Sequence, residues 1–374
     1  MLKAGLIINP VAGVGGRAGL KGSDGEEIQK EALKKGGTLE SGNKSKIALK
    51  ELKEIKDKFK FVTAYGTMGE DVVKELGFIY ELVGSEKDIT TAADTEIIAK
   101  ILKEEKVDIL VFAGGDGTAR NIYNAIELSL PCVGIPAGVK IHSAVYANNP
   151  KSAGLVIRRF IDNPAAAQMV DREVMDINED LFRKNVVEAR LYGYLSVPYI
   201  QNLMQNPKAS AKYGAHDIEG IAEEIIDLMN SRDKNTCYIF GTGGTTFKIL
   251  KYMGLSGSLL GIDVVQNKET VLSDASENEL YDFINDKKDI VLIVTVIGGQ
   301  GHIFGRGNQQ LSPRVIRLIE KDNLWIVASA GKIYGLDNNT LVVDTSDPEL
   351  DKEIAGYRKV IVGWQERIVC KVSC

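Results

Sequence analysis

The chain has 374 residues and a net charge of −5 from 46 basic and 51 acidic side chains, so it lacks the basic excess of a protein built to grip nucleic acid. Its 44% hydrophobic and 26% charged content excludes a disordered or fibrous chain, and the length suggests two domains. Cys132, Cys237, Cys370 and Cys374 are scattered without a paired spacing, and His142, His216 and His302 stand alone, so neither a disulfide framework nor a zinc site is expected.

In chain order, Leu2 to Ile8 is a short apolar run ended by Asn9-Pro10 and the glycines Gly13, Gly15 and Gly16, which predicts a buried strand entering a glycine-rich loop. That run is too short for a signal peptide, and no apolar stretch approaches the ~20 residues of a membrane helix; a cytoplasmic protein with no membrane partner is expected. Residues 26 to 58 are rich in Lys and Glu and read as two solvent-faced helices, with 44 to 58 a solvated face. A strand over Phe59 to Ala64, a helix and a short strand near Phe78 to Val83 follow. The spacing of Ile97, Ile98, Ile101 and Leu102 predicts an amphipathic helix over 91 to 106, with Asp94-Thr95 as its cap. Val107 to Phe112 is almost wholly apolar, as in a parallel strand buried on both faces. A helix over Ala119 to Leu128 and a strand over Cys132 to Ile135 continue the alternation. Alternating strands and helices argue a doubly wound, Rossmann-like α/β sheet.

After about residue 165 the pattern changes to short runs rich in β-branched residues: 186 to 194, 236 to 240, 290 to 296, 324 to 328 and 341 to 343. Helices are expected at 217 to 231, 245 to 253 and 312 to 320. We therefore expect an α/β phosphate-donor domain over 1–160 and a β-rich acceptor-binding domain over 161–355. The strand-like tail 356–374 can return to the first domain.

The strongest chemical signal is Gly114-Gly115-Asp116-Gly117-Thr118 between a buried strand and a helix. Glycines leave backbone N–H groups uncovered at a helix N-terminus, where phosphate binds. A carboxylate is out of place beside phosphate unless it takes a proton from an attacking hydroxyl or helps hold Mg2+, which marks Asp116. The plainer alternative makes Asp116 a helix cap. Gly138 and Lys140 follow the next strand and should neighbour Asp116, Lys140 neutralising phosphate. Gly241 to Thr246 is a second strand–loop–helix anion site, in which Thr245 and Thr246 can cap the helix and bond a phosphate oxygen. The stretch Gly298 to Gln310, rich in Gly, Asn and Gln and carrying His302, Arg306 and Asn308, reads as a freely bending lid that faces phosphate or ribose.

Gly114 to Thr118 after an apolar strand, with Asn9-Pro10 and its glycines, resembles the signature of the superfamily shared by NAD kinases, diacylglycerol kinases and sphingosine kinases. The stretches 134–143, 240–246 and 297–310 are similar to the prokaryotic branch of ATP- or polyphosphate-dependent NAD kinases. Two departures fall on the acceptor side. Gly241 to Thr246 lacks the proline and tyrosine of the usual NAD kinase loop, and the usual Asn-Glu pair has no close counterpart, Asn178-Glu179 being the nearest. The resemblance implies a kinase that phosphorylates a ribose hydroxyl of NAD, with ATP or polyphosphate as donor and Mg2+ as cofactor, assembled as a homo-oligomer. Asn9, Gly114, Gly115, Gly117, Thr118, Gly138 and Lys140 would hold the donor, and Asp116 would be catalytic. Gly243, Gly244, Thr245, Thr246, Arg306 and Asn308 would hold the acceptor, with the active site expected in the cleft between the domains. Two other readings stay open: a same-fold kinase acting on another small-molecule or lipid hydroxyl, and a non-catalytic nucleotide-binding regulator. Asp116 counts against the second, since a sensor needs no base.

Overall fold

A computed structural model describes residues 1–19, 26–87, 89–138, 141–177, 189–200, 203–204, 215–298, 300–305 and 307–374. Its first elements are β1 (Leu2–Ile8), α1 (Glu26–Lys34), α2 (Ser41–Lys50), β2 (Phe59–Ala64), α3 (Glu70–Leu76), β3 (Tyr80–Val83) and α4 (Ala92–Glu104). They are followed by β4 (Ile109–Gly114), α5 (Asp116–Ile126), β5 (Cys132–Pro136), α6 (Pro150–Asp162), β6 (Met169–Ile177) and β7 (Ala189–Pro198). Then come α7 (Ala215–Asn230), β8 (Cys237–Phe240), α8 (Gly244–Tyr252), β9 (Asp263–Gln266), β10 (Glu269–Leu272), α9 (Glu277–Ile284) and β11 (Ile290–Thr295). The chain ends with α10 (Pro313–Ile316), β12 (Leu324–Val327), α11 (Ala330–Tyr334), β13 (Thr340–Val342), α12 (Pro348–Ile354), β14 (Gly356–Gly363) and β15 (Glu366–Ser373).

Two units emerge, and each takes more than one piece of chain. The first comprises 1–14, 38–182 and 186–207; the second comprises 15–37, 183–185 and 208–374. Residues 15–37 thus belong with the second unit, and the β6–β7 hairpin belongs with the first, unlike the boundaries expected from sequence. The C-terminal tail does not return to the first domain: β14 pairs with β12, and β15 with β14 and β13, all in the second unit.

In the first unit, β3-β2-β1-β4-β5 form a parallel sheet in that order. Leu6, Ile7 and Ile8 of β1 and Leu110 to Ala113 of β4 are buried on both faces, which is why their sequences are apolar without alternation. Strand order reverses between β1 and β4, and ligands of open α/β sheets bind beyond the strand ends at such a switch point.

The Lys/Glu-rich segment is not a solvated face throughout. Ser41, Lys44, Ser45, Ala48 and Leu49 of α2 are buried, because α2 packs on α6. A Cβ on Gly154 of α6 would stand 2.1 Å from the Ala48 carbonyl oxygen. Gly154→Ala should therefore force the helices apart and destabilise the protein by about 1–3 kcal/mol. A chemical denaturation curve checks this; unchanged stability would show that the pair can slide freely.

Asp94 lies at the third position of α4, where Thr91 is the cap and the two form a capping box. The Lys87 ammonium beside it, with the Thr91 donors, holds the Asp94 carboxyl below the usual range against the opposing pull of burial.

The second unit is a mixed sheet in the order β10-β9-β8-β11-β12-β14-β15-β13. Its centre, β8, β11, β12 and β14, is parallel. Alternate residues feed two cores. Ile239, Leu292, Val294 and Ile326 face one, while Phe240, Val291, Ile293 and Val327 face the other, together with Ile249 and Leu250 of α8. The helix expected over 312–320 is shortened to α10, capped by the Ser312 hydroxyl.

Candidate active site

β1 and β4 lie side by side with Ile8 opposite Ala113, so Asn9 and Gly114 leave the sheet together at the switch point. The Asn9 amide then ties the loops. Its backbone N–H donates to the Ala113 carbonyl at 3.0 Å, and its Nδ2 donates to Thr118 Oγ1 at 3.0 Å. Its Oδ1 accepts the Val11 N–H at 3.2 Å. Asn9 and the buried Thr118 hydroxyl therefore shape the loops from behind.

Three loops nest backbone against backbone. The Gly114 carbonyl accepts N–H groups from Ala137 and Gly138, each at 2.9 Å. A Cβ on Gly138 would lie 2.6 Å from Gly115 Cα, and one on Gly13 would lie 2.2 Å from the Ala137 carbonyl oxygen. Gly13 also has φ +81°, a conformation that side chains resist. The N-terminal turn of α5 sits in this nest, with Gly115 as its cap residue. The first N–H groups of such a helix have no partner within it and attract anions.

Asp116 is not a helix cap, since no side-chain bond closes the start of α5. Its carboxylate faces the following loop instead. Oδ2 accepts the His142 backbone N–H at 2.8 Å and lies 3.3 Å from His142 Nδ1, while Oδ1 accepts the Ser143 N–H at 2.9 Å. The Asp116 side chain is 11% exposed. Behind it the Tyr146 hydroxyl donates to the Gly115 carbonyl at 2.6 Å, and Tyr146 packs edge-on against Phe112. His142, Ser143 and Tyr146 have no role in the sequence reading. His142 is 26 positions from Asp116, and no local spacing links the two.

In the second unit, Gly243 (φ +138°) starts α8. Thr246 Oγ1 donates to the Gly243 carbonyl, and Thr245 Oγ1 accepts from Lys332 Nζ at 2.9 Å, so neither threonine caps the helix as expected. The Thr242 hydroxyl donates to the Gly307 carbonyl at 2.6 Å, joining this loop to the 298–310 stretch. That stretch does not bend freely. His302, Ile303, Phe304, Asn308 and Gln310 are buried, and the chain is pinned to β13 through Ile303 N–H to the Val342 carbonyl and Val342 N–H to the Gly301 carbonyl. The Asn308 side chain is spent within the loop, on the Ile303 carbonyl and the Gly305 N–H. Lys140, Arg306 and Asn178-Glu179 lie outside the described residues.

Residues 5–165 match the family model of the ATP-NAD kinase N-terminal domain, and residues 233–372 match that of the ATP-NAD kinase C-terminal domain. The chain belongs to the ATP-NAD kinase family. The nested glycine loops of the first unit fall within the part of the chain that matches the N-terminal family model. Among solved structures, a diacylglycerol kinase from Bacillus anthracis str. Sterne is similar at 16% identity, with 47% of this chain and 46% of that one covered and a TM-score of 0.23. An S. aureus MnaA-UDP co-structure is similar at 11% identity, with 90% and 84% covered and a TM-score of 0.25. The chain spans less than half the length of the Bacillus structure. No curated protein matches it. No helix among the described residues is long and apolar enough to cross a membrane.

Proposed function

We propose that this ATP-NAD kinase family member transfers a phosphoryl group from ATP, or from polyphosphate, to the adenosine 2′-hydroxyl of NAD+, giving NADP+. One observation carries the reading: a carboxylate, Asp116, stands in the first turn of a helix whose loop is stripped to glycine backbone at the switch point of a parallel sheet. Gly114, Gly115, Gly117 and Gly138 present backbone to the donor phosphates. Asn9 and Thr118 hold that backbone in place, and Lys140 supplies countercharge. Gly243 to Thr246, with Arg306, serve the acceptor, while Asn308, bonded to Ile303 and Gly305, holds the shape of its loop.

An ionised carboxylate can accept roughly four hydrogen bonds. Two are filled by the His142 and Ser143 backbone N–H groups and His142 Nδ1 stands 3.3 Å from Oδ2, which leaves a direction on Oδ1 for an acceptor hydroxyl. Backbone donors fix the orientation of that carboxylate before substrate arrives, as positioning catalysis requires. Among the described residues no group of three or more His, Cys, Asp or Glu could cage a metal. Mg2+ carried on substrate phosphates would take that same remaining direction of the Asp116 carboxylate in place of the hydroxyl. The ion would neutralise charge on the transferring phosphoryl group. The reading places the protein in the cytoplasm with its nucleotide substrates, as a homo-oligomer.

Incubation with NAD+, Mg2+ and either ATP or polyphosphate, coupled to an NADP-specific dehydrogenase, tests this. Dehydrogenase reduction dependent on the protein is the expected result. Phosphorylation of a different hydroxyl compound, with none of NAD+, would transfer the protein to another acceptor.

A further inference from the structure

The parallel strands of the second unit end in a cluster of hydroxyls that the fold leaves unsatisfied. Val291 and Ile293 of β11 face α8, and Thr295 continues that face at the strand's C-terminal end. Thr295 is in register with Val327 of β12, which also faces α8, and Ser329 follows two residues later in extended backbone. Both hydroxyls are more than nine-tenths buried, and neither Thr295 Oγ1 nor Ser329 Oγ has a hydrogen-bond partner. Burying a hydroxyl without a partner is costly, so such groups mark a place where a ligand belongs.

What stands beside them is an anion site in outline. Thr295 lies against the start of α8, its Cγ2 2.4 Å from where a Cβ on Gly243 would stand. The nine-residue helix α8 begins at the exposed Gly244, and its first N–H groups have no partner within the helix. Lys332, half-buried on α11, holds its ammonium over the same strand ends, donating to Thr245 Oγ1 at 2.9 Å and to the Val296 carbonyl at 3.4 Å. A cation, two buried hydroxyls and a glycine-opened helix N-terminus converge here.

We infer that Thr245, Thr295, Ser329, Lys332 and the first turn of α8 bind a phosphoryl group of a phosphorylated substrate. This deepens the acceptor reading proposed above, on which it rests, by naming what the Gly243 to Thr246 loop grips. The same chemistry could come from the diphosphate of a dinucleotide or from a polyphosphate chain, and direct binding separates the two.

The test is calorimetric titration of the wild type, Lys332→Met, Lys332→Arg and Thr295→Val with NAD+, with pyrophosphate and with adenosine. Loss of a charge-assisted bond should weaken phosphate binding by about 10- to 100-fold in Lys332→Met. Thr295→Val, which keeps the shape, should weaken it by a smaller factor, and Lys332→Arg should retain part of the affinity. Adenosine binding should be unchanged. An effect on NAD+ alone assigns the site to the acceptor diphosphate; an effect on pyrophosphate alone assigns it to a polyphosphate chain. Unchanged affinity for both in the folded Lys332→Met and Thr295→Val variants overturns the inference. Because binding is read without turnover, a protein that binds pyrophosphate here yet never phosphorylates NAD+ would sink the kinase acceptor and leave this site standing.

Discussion

Asp116→Asn should lose phosphoryl transfer by about 10²- to 10⁴-fold, the usual cost of removing a general base. The asparagine cannot take a proton at neutral pH, which removes the chemistry directly. A second consequence comes from the hydrogen bonds of this carboxylate. Both oxygens of Asp116 accept N–H groups, from His142 on one side and Ser143 on the other. An amide offers one accepting oxygen, so one backbone donor of the 141–143 loop loses its partner, at about 1–3 kcal/mol. Asparagine is thus not the silent replacement that a solvent-facing loop carboxylate would allow, and the melting temperature should fall with the activity. The two effects separate in the kinetics. If Asp116 is the base, kcat falls far more than the affinity for ADP. A purely anchoring Asp116 would weaken ADP binding and kcat/KM together and leave kcat near normal at saturation.

Gly138→Ala should be almost as damaging, for a steric reason. The added Cβ would lie 2.6 Å from Gly115 Cα and 3.3 Å from Gly115 N. Both are main-chain atoms, so no flexible side chain can move aside. The Gly114–Gly115 turn must shift away from β5, and with it the N-terminal turn of α5 that carries Asp116. A displacement approaching 1 Å at a reacting centre costs on the order of 10²-fold in rate. Gly42→Ala is the control. It lies within α2 with nothing inside 4 Å of the new methyl, and should be neutral or slightly stabilising. Measuring kcat and urea unfolding for both decides it: Gly138→Ala with normal kcat would mean that the close approach of these loops is incidental.

How far the sequence reveals this site depends on whether its parts are local. The β4–loop–α5 segment is legible because a run of apolar residues buried on both faces, a glycine turn and an amphipathic helix follow one another without interruption. The glycines also announce themselves, since only they permit backbone approaches such as that of Gly115 to Gly138. The partners of Asp116 are not legible, because they are backbone N–H groups of a loop brought in by β5, and a backbone donor leaves no residue signature. Lys332 is hidden for a similar reason: it is one lysine among many until the sheet sets α11 beside α8.

The division into units fails at the same level. Nothing in the composition of residues 15–37 or of β6 records which unit they join. Hairpin β6, with Asp171, Arg172, Glu173 and Asp176 in nine residues, is too polar to read as core-facing strand. Conversely, α6 is not among the expected helices although it carries readable signals: the Asn149 cap, Pro150 in the first turn, and Val156, Ile157, Phe160 and Ile161 on one face.

Phosphorus-31 NMR of the reaction products tests most directly whether a phosphoryl group moves onto a specific hydroxyl. With NAD+, ATP and Mg2+, a new phosphomonoester resonance on the adenosine 2′-oxygen should grow one-for-one with ADP and be absent with Asp116→Asn. Release of inorganic phosphate with ADP, and no phosphomonoester on NAD+, would contradict it.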